Sequence, residues 1–113
     1  MVKKYFIPNR GDIIWINLNP TKGREQRGLR PALILSPQQY NDKVGMILAC
    51  PITSKVKGYP FEVVITLRDI DGVILVDQIR SIDWISRPIT LIGRCDQAIV
   101  EEVQQKLNLL IND

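Results

Sequence analysis

The sequence predicts a mostly β domain of the α+β class: a small, strongly bent sheet or barrel of short strands closed by a C-terminal amphipathic helix. Three observations predict it. Short apolar and β-branched runs, each bounded by Gly, Pro, Asn or Asp, follow one another from Gly11 to Arg94. Helical periodicity is sustained only at the end, where Ile99, Val103, Leu107 and Leu110 recur at spacings of four, four and three. A chain of 113 residues is the length of one domain with one modest core, so residues 1–113 read as a single domain.

Taken in order, Gly11 to Leu18 is a first strand, buried by its apolar density. Asn19 to Leu29 follows with Pro20, Gly23 and Gly28 and reads as a polar loop. A loop of this length on a small scaffold is a common place for function. Pro31 to Ser36 is a second strand, and Pro37 to Asp42 a brief helical turn with Ser36 as its cap and Pro37 in the first helical position. Gly45 to Thr53 is a third strand, Ser54 to Gly58 a second basic loop, and Phe61 to Leu67 a fourth strand. Asp71-Gly72 reads as the turn of a hairpin leading into Val73 to Gln78. Ile79 to Ile85 fits one helical turn, and Ile89 to Arg94 a last short strand. Asp96 is placed as the N-cap of a helix over Gln97 to Ile111. Its apolar stripe is assigned to core packing.

Composition excludes several classes. Hydrophobic residues at 45% and charged residues at 24% argue against a disordered tail. No apolar run approaches the ~20 residues of a membrane span. The opening Met1-Val2-Lys3-Lys4-Tyr5 is basic but precedes no long apolar stretch, unlike a signal peptide, so a cytoplasmic location without membrane contact is expected. Cys50 and Cys95 are too few and too far apart for a disulfide framework or zinc site and are read as reduced thiols. The chain contains no histidine. That removes Ser-His-Asp and Cys-His nucleophilic machinery and paired-histidine acid–base chemistry. Any catalysis rests on carboxylates, arginines, lysines and hydroxyls, and neither metal nor cofactor is expected.

The net charge of +3 is unevenly spread: residues 22–57 carry +5 and residues 58–113 carry −4. A basic first half suits a polyanionic partner. The first loop concentrates Lys22, Arg24, Arg27 and Arg30 around Glu25, with Gln26 between them. Arginine forks match phosphate oxygens, and glycines let backbone approach a ligand closely. The second loop adds Thr53, Ser54, Lys55 and Lys57. Together they suit cleavage of RNA by its own 2′-hydroxyl, which needs a base, fixed positive charge on the phosphorane and help for the leaving oxygen. Glu25 is the candidate base, Arg30 the anion stabiliser and Thr53 a holder of a phosphate oxygen. Arginine stays protonated at any working pH, so Arg30 acts electrostatically. Trp15 and Trp84 are expected as core or dimer contacts in preference to base-stacking platforms.

The strings Gly11-Asp12-Ile13-Ile14-Trp15, Pro20-Thr21-Lys22-Gly23, Glu25-Gln26, Gly28-Leu29-Arg30-Pro31-Ala32 and Leu35-Ser36-Pro37 resemble the MazF/PemK toxin family. So do Lys57-Gly58-Tyr59-Pro60-Phe61-Glu62-Val63-Val64, Asp71-Gly72-Val73 and Asp77-Gln78-Ile79-Arg80-Ser81-Ile82, in order and spacing. The resemblance implies an SH3-like, CcdB-like barrel of short antiparallel strands that dimerises, with single-stranded RNA in a groove across two subunits. It implies metal-independent cutting at a short recognition sequence that leaves a 2′,3′-cyclic phosphate and a 5′-hydroxyl, and so inhibits translation and growth. Arg30 and Thr53 match the family's main catalytic pair, Glu25 an implicated carboxylate, and Asp77, Gln78 and Arg80 positions near the groove. It also implies a MazE-like antitoxin whose acidic tail lies over that groove. Two positions depart from the family's pattern: Leu29 stands where His often precedes the loop arginine, and Leu75 where some PemK-like members carry Arg. Two other readings compete. One is a CcdB-like toxin that binds and poisons DNA gyrase without catalysis, since fold does not fix function. The other is an inert nucleic-acid-binding module.

Overall fold

The computed structural model describes residues 6–112; the Met1–Tyr5 stretch lies outside the described residues. Among the described residues are seven strands and two helices, six of the strands in the predicted order and β6 in addition: β1 (Asp12–Asn17), β2 (Leu29–Ile34), α1 (Gln38–Val44), β3 (Met46–Thr53), β4 (Glu62–Leu67), β5 (Ile70–Leu75), β6 (Arg80–Asp83), β7 (Ile89–Arg94) and α2 (Gln97–Ile111). A single 3-10 turn, Val76–Gln78, joins β5 to β6. The strands form one antiparallel, curled sheet in the order β4-β5-β3-β2-β1-β7. β3 is the pivot. Its first half pairs with β6 (Ile47 opposite Ile82) and its end pairs with β5 (Thr53 opposite Val73). One strand thereby belongs to two sheet segments, and the sheet folds around it.

Because the sheet curls, both faces of β1–β3 are buried, and two cores result. Ile13, Leu33, Cys50 and Ile52 face β4, β5 and α2, whose Val100 and Val103 close that core. Ile14, Ile16, Ala32, Ile34 and Ile47 face β6, with Trp84 and Ile89 packed against them. The near-continuous apolar run of β1 reflects burial on two sides. On α2, Ile99, Val103 and Leu107 pack as the stripe predicts, but Leu110 is exposed, because the last turn runs past the sheet. Asp96 occupies the cap position without a side-chain cap bond.

Three local readings are corrected. Ser36 does not cap α1. Its hydroxyl donates to Asn41 Oδ1 (2.5 Å) and accepts from Leu48 N (2.9 Å), while Pro37, in extended conformation, holds the cap position. The buried Asn41 side chain also donates to Pro8 O and Ser36 O, so this polar cluster ties α1 to the sheet with its groups satisfied. Asp71-Gly72 is not a turn but lies inside β5, and the hairpin turns at Arg68, which adopts φ 53°. Gly72 is required there because a Cβ would overlap the Thr53 carbonyl oxygen and lie 2.9 Å from its carbon. Finally, Ile79 to Ile85 is mainly strand β6, and the helical turn falls earlier, at Val76–Gln78. Arg80 to Asp83 of that stretch pair with β3, Ile82 lying opposite Ile47 in the core, and tertiary pairing overrides local preference.

Candidate RNA-cleaving groove

The first loop leaves β1 and returns to β2 through a narrow neck: Leu18 N donates to Gly28 O (2.9 Å) and Gly28 N to Asn19 Oδ1 (3.1 Å). Gly28 has φ 79°, which a side chain would strain. At the tip, Lys22 and Glu25 close a turn reciprocally, Lys22 N donating to Glu25 Oε1 (2.8 Å) and Glu25 N to Lys22 O (3.1 Å). One Glu25 oxygen is thus spoken for by backbone and the carboxylate is held in place. Arg30 Nε donates to Arg27 O (3.0 Å), which aims the guanidinium; among the described residues no hydrogen bond or ion pair engages its two terminal nitrogens.

The register puts Arg30 opposite Ile16 on β1, and extending the β2–β3 pairing by two residues brings it alongside Thr53. Thr53 is buried, and its hydroxyl accepts from Lys55 N (3.1 Å), which turns the second loop away from the strand. That loop has two further anchors. The Glu62 carboxylate accepts from Lys57 N (3.0 Å) and Gly58 N (2.8 Å), and Tyr59 Oη donates to Asp77 Oδ1 (2.7 Å). Partial burial, then the hydrogen bond to Asp77 and the nearby carboxylate charges, push the Tyr59 hydroxyl up to about 12. Tyr59 therefore stays protonated and serves as a fixed donor. Burial, with the Asp77 charge adding to it, raises the Cys50 thiol to about 12, and burial raises Cys95 to about 11. Neither is a thiolate at neutral pH, and both are unpaired.

The first loop is fastened to the body by the 3-10 turn. Gln26 N donates to Gln78 Oε1 (2.9 Å), and beneath it Arg80 Nη1 donates to Leu18 O (3.0 Å). Gln26 Oε1 is buried without a hydrogen-bond partner among the described residues. Removing the Gln78 oxygen is expected to free the loop. In Gln78→Met, hydrogen exchange at the Gln26 amide should quicken roughly tenfold, the worth of one hydrogen bond. Gln78→Glu, which keeps an acceptor, should restore protection. Equal exchange in all three proteins would refute the latch.

Three adjoining clefts line this face. The first, of about 270 Å³, takes in Arg30, Thr53 and Ser54 with Trp15, Leu29, Pro31 and Asp69 to Asp71. The second, about 280 Å³, holds Glu25, Gln26, Asp77, Gln78 and Arg80. The third, about 270 Å³, holds Arg24, Gln26, Thr53, Lys55, Lys57, Tyr59 and Gln78. Thr53 joins the first to the third, and Gln26 and Gln78 join the second to the third, so one groove collects most of the predicted site. Two residues are not collected: Lys22 is engaged through its backbone, and Arg27 turns back to Gly23 O (3.1 Å) on the exposed side of the loop. Glu25 and Arg30 border different clefts. Tyr59 and Glu62 were missed as site residues. Their signal was present in the Lys57–Val64 string, but their anchoring role needs the partner Asp77 and the loop amides. Trp84 packs on the second core and donates to Asn41 O (2.9 Å), as expected of a core residue. Trp15 does not follow suit: it is 39% exposed and faces the Arg30 cleft.

A curled sheet that lifts two basic loops over a histidine-free groove makes a small protein built to hold a polyanion. Comparison with known proteins narrows that class. Residues 9–111 match the family model of the PemK-like, MazF-like toxin of type II toxin-antitoxin systems. The chain is 48% identical over 111 residues to the endoribonuclease toxin MazF of Escherichia coli K12, covering 98% of this chain and 99% of that one. The crystal structure of MazF from Deinococcus radiodurans superposes with a TM-score of 0.91 at 42% identity, over 96% of this chain and 100% of the other. A MazE-MazF structure from the same organism gives 0.82 at 39% identity, over 95% and 97%. The chain belongs to the PemK-like, MazF-like toxin family.

Proposed function

We propose that this protein is the toxin of a type II toxin–antitoxin system, an endoribonuclease that cuts single-stranded messenger RNA without a metal and so stops translation and growth. One observation carries the reading. Arg30, oriented through Nε and with no bond to its outer nitrogens among the described residues, borders the same cleft as Thr53, in a groove that contains no histidine. The substrate supplies the nucleophile, its own 2′-hydroxyl. Arg30 offers two parallel donors to the phosphorane oxygens, and such preorganised charge is worth most where charge develops. Thr53 holds a phosphate oxygen. Glu25, steadied by Lys22 N, accepts the 2′-proton. As the 2′-oxygen bonds to phosphorus the P–O5′ bond breaks, the leaving 5′-oxygen takes a proton from water, and the products are a 2′,3′-cyclic phosphate and a 5′-hydroxyl.

The site works as a homodimer in the cytoplasm, with RNA crossing both subunits, and an acidic, MazE-like antitoxin tail competes for the groove. The Deinococcus radiodurans MazE-MazF structures support the partner. Arg24, Lys55 and Lys57 carry the phosphates of the chain on either side of the cut. RNA and acidic-tail binding should both weaken with salt, since each neutralised phosphate of a single strand contributes about −0.7 to the slope of log K against log salt. Lys55→Ala should make that slope shallower by about 0.7 and weaken all sequences alike. A slope unchanged by the substitution would remove Lys55 from the path.

The deciding experiment incubates the purified protein with a long defined RNA in EDTA and maps cut sites and end chemistry. Discrete cuts ending in 2′,3′-cyclic phosphate are expected. Intact RNA would overturn the reading and favour a toxin that acts by binding, which a gyrase assay would detect.

A further inference from the structure

We propose that the first cleft is a nucleobase-binding subsite in which Trp15 stacks a base next to the scissile phosphate; the inference rests on the RNA-cleaving reading above. Trp15 sits in the middle of β1 between buried Ile14 and Ile16, yet 39% of it is exposed. Trp15 is the one apolar residue of β1 that is not buried, and such an open indole offers a surface for an apolar partner. Its indole N–H makes no hydrogen bond among the described residues.

The position of this ring relative to the candidate catalytic pair says what the partner is. Strand alternation sets the Trp15 and Arg30 side chains on opposite faces of the sheet, but both border the same cleft of about 270 Å³, with Thr53 and Ser54. Pro31 lies directly opposite Trp15, and Leu29, 65% exposed, continues the apolar wall. A nucleotide whose phosphate is held by Arg30 therefore has an apolar shelf within reach of its own base. Base stacking on an aromatic ring is worth binding energy whatever the base, because every base has a π-face.

The far rim of the cleft, across from Arg30, suits a base better than a second phosphate. Asp69 and Asp71, on the β4–β5 hairpin, border it. Two carboxylates repel a phosphodiester, but they accept hydrogen bonds from the exocyclic amino groups of adenine, cytosine or guanine. Asp71 receives only a long bond, from Thr66 Oγ1 (3.3 Å), and Asp69 accepts none among the described residues. The shelf thus supplies affinity and the carboxylate rim supplies choice. The base seated here carries an amino group, and uracil is disfavoured.

The test uses the full chain with RNA oligonucleotides randomised around the cut. For Trp15→Ala, KM should rise about 5- to 150-fold, the worth of one stacked base, with kcat changed much less, and Trp15→Phe should recover most of the loss. Asp69→Asn with Asp71→Asn should relax base choice at one fixed position beside the cut. In a Trp84→Phe background Trp15 is the sole fluorophore of its kind, and a non-cleavable 2′-deoxy oligonucleotide should quench it. Wild-type-like KM in Trp15→Ala, or no quenching on binding, would overturn the subsite while leaving the nuclease intact. Loss of self-association in Trp15→Ala at unchanged base preference would also overturn it and assign the ring to a contact between copies. RNA left intact by the unsubstituted protein would sink the nuclease reading itself.

Discussion

Arg30→Ala should cut RNA about 10²- to 10³-fold more slowly than the unsubstituted protein, the cost of deleting a donor to a developing oxyanion. The guanidinium donates to Arg27 O and makes no other hydrogen bond or ion pair among the described residues, so its removal strands no buried polar partner. Thermal unfolding should consequently stay where it was, and the loss should fall on kcat. Arg30→Lys keeps the charge but forfeits the two-pronged donor, and should recover only part of the rate. Single-turnover cleavage of a short RNA measures all three. A variant without Arg30 that cuts at full rate would leave the groove standing but move the chemistry elsewhere.

Gly72→Ala should act through the fold. The new methyl group would overlap the Thr53 carbonyl oxygen and lie 3.1 Å from Ser54 Cα, and both are backbone atoms that cannot rotate away. The β3–β5 pairing at Thr53 and Val73 has to open. Overpacking of this sort costs on the order of 3 kcal/mol, and a lower urea midpoint at unchanged m would report it. Because the displaced residue is Thr53, the folded fraction should also cut poorly. Unchanged stability would mean that the two strands can part without cost. Gly72→Ala thus probes the site from behind, through a residue that touches no substrate.

Much of the fold was legible. β7 and α2 have the predicted bounds, and β1 differs by a residue at each end, because strong apolar patterns with sharp flanks mark them. The failures share a cause. Asp71-Gly72 has the composition of a turn, but its glycine answers to a strand residue 19 positions earlier in sequence, and local chemistry carries no trace of that neighbour. Ser36 has the composition of a cap, but its hydroxyl is drawn inward by Asn41 and Leu48 N. The site divides in the same way. Arginines crowded on a glycine-flanked loop can be seen in the sequence. The meeting of Arg30 with Thr53 depends on register, and the anchoring of the loops by Gln78, Asp77 and Glu62 depends on contacts across the barrel.

The 3-10 turn at Val76–Gln78 has one further consequence. Gln78 holds the first loop and Asp77 the second, so adjacent residues of one short turn bear both. The two loops cannot fluctuate independently: whatever shifts the turn shifts them together. A nucleotide that orders one loop lowers the entropy left to be lost at the other, and by linkage the favour is returned. The groove should then fill cooperatively along the strand, with short RNAs that reach only one loop bound far more weakly than their contacts suggest.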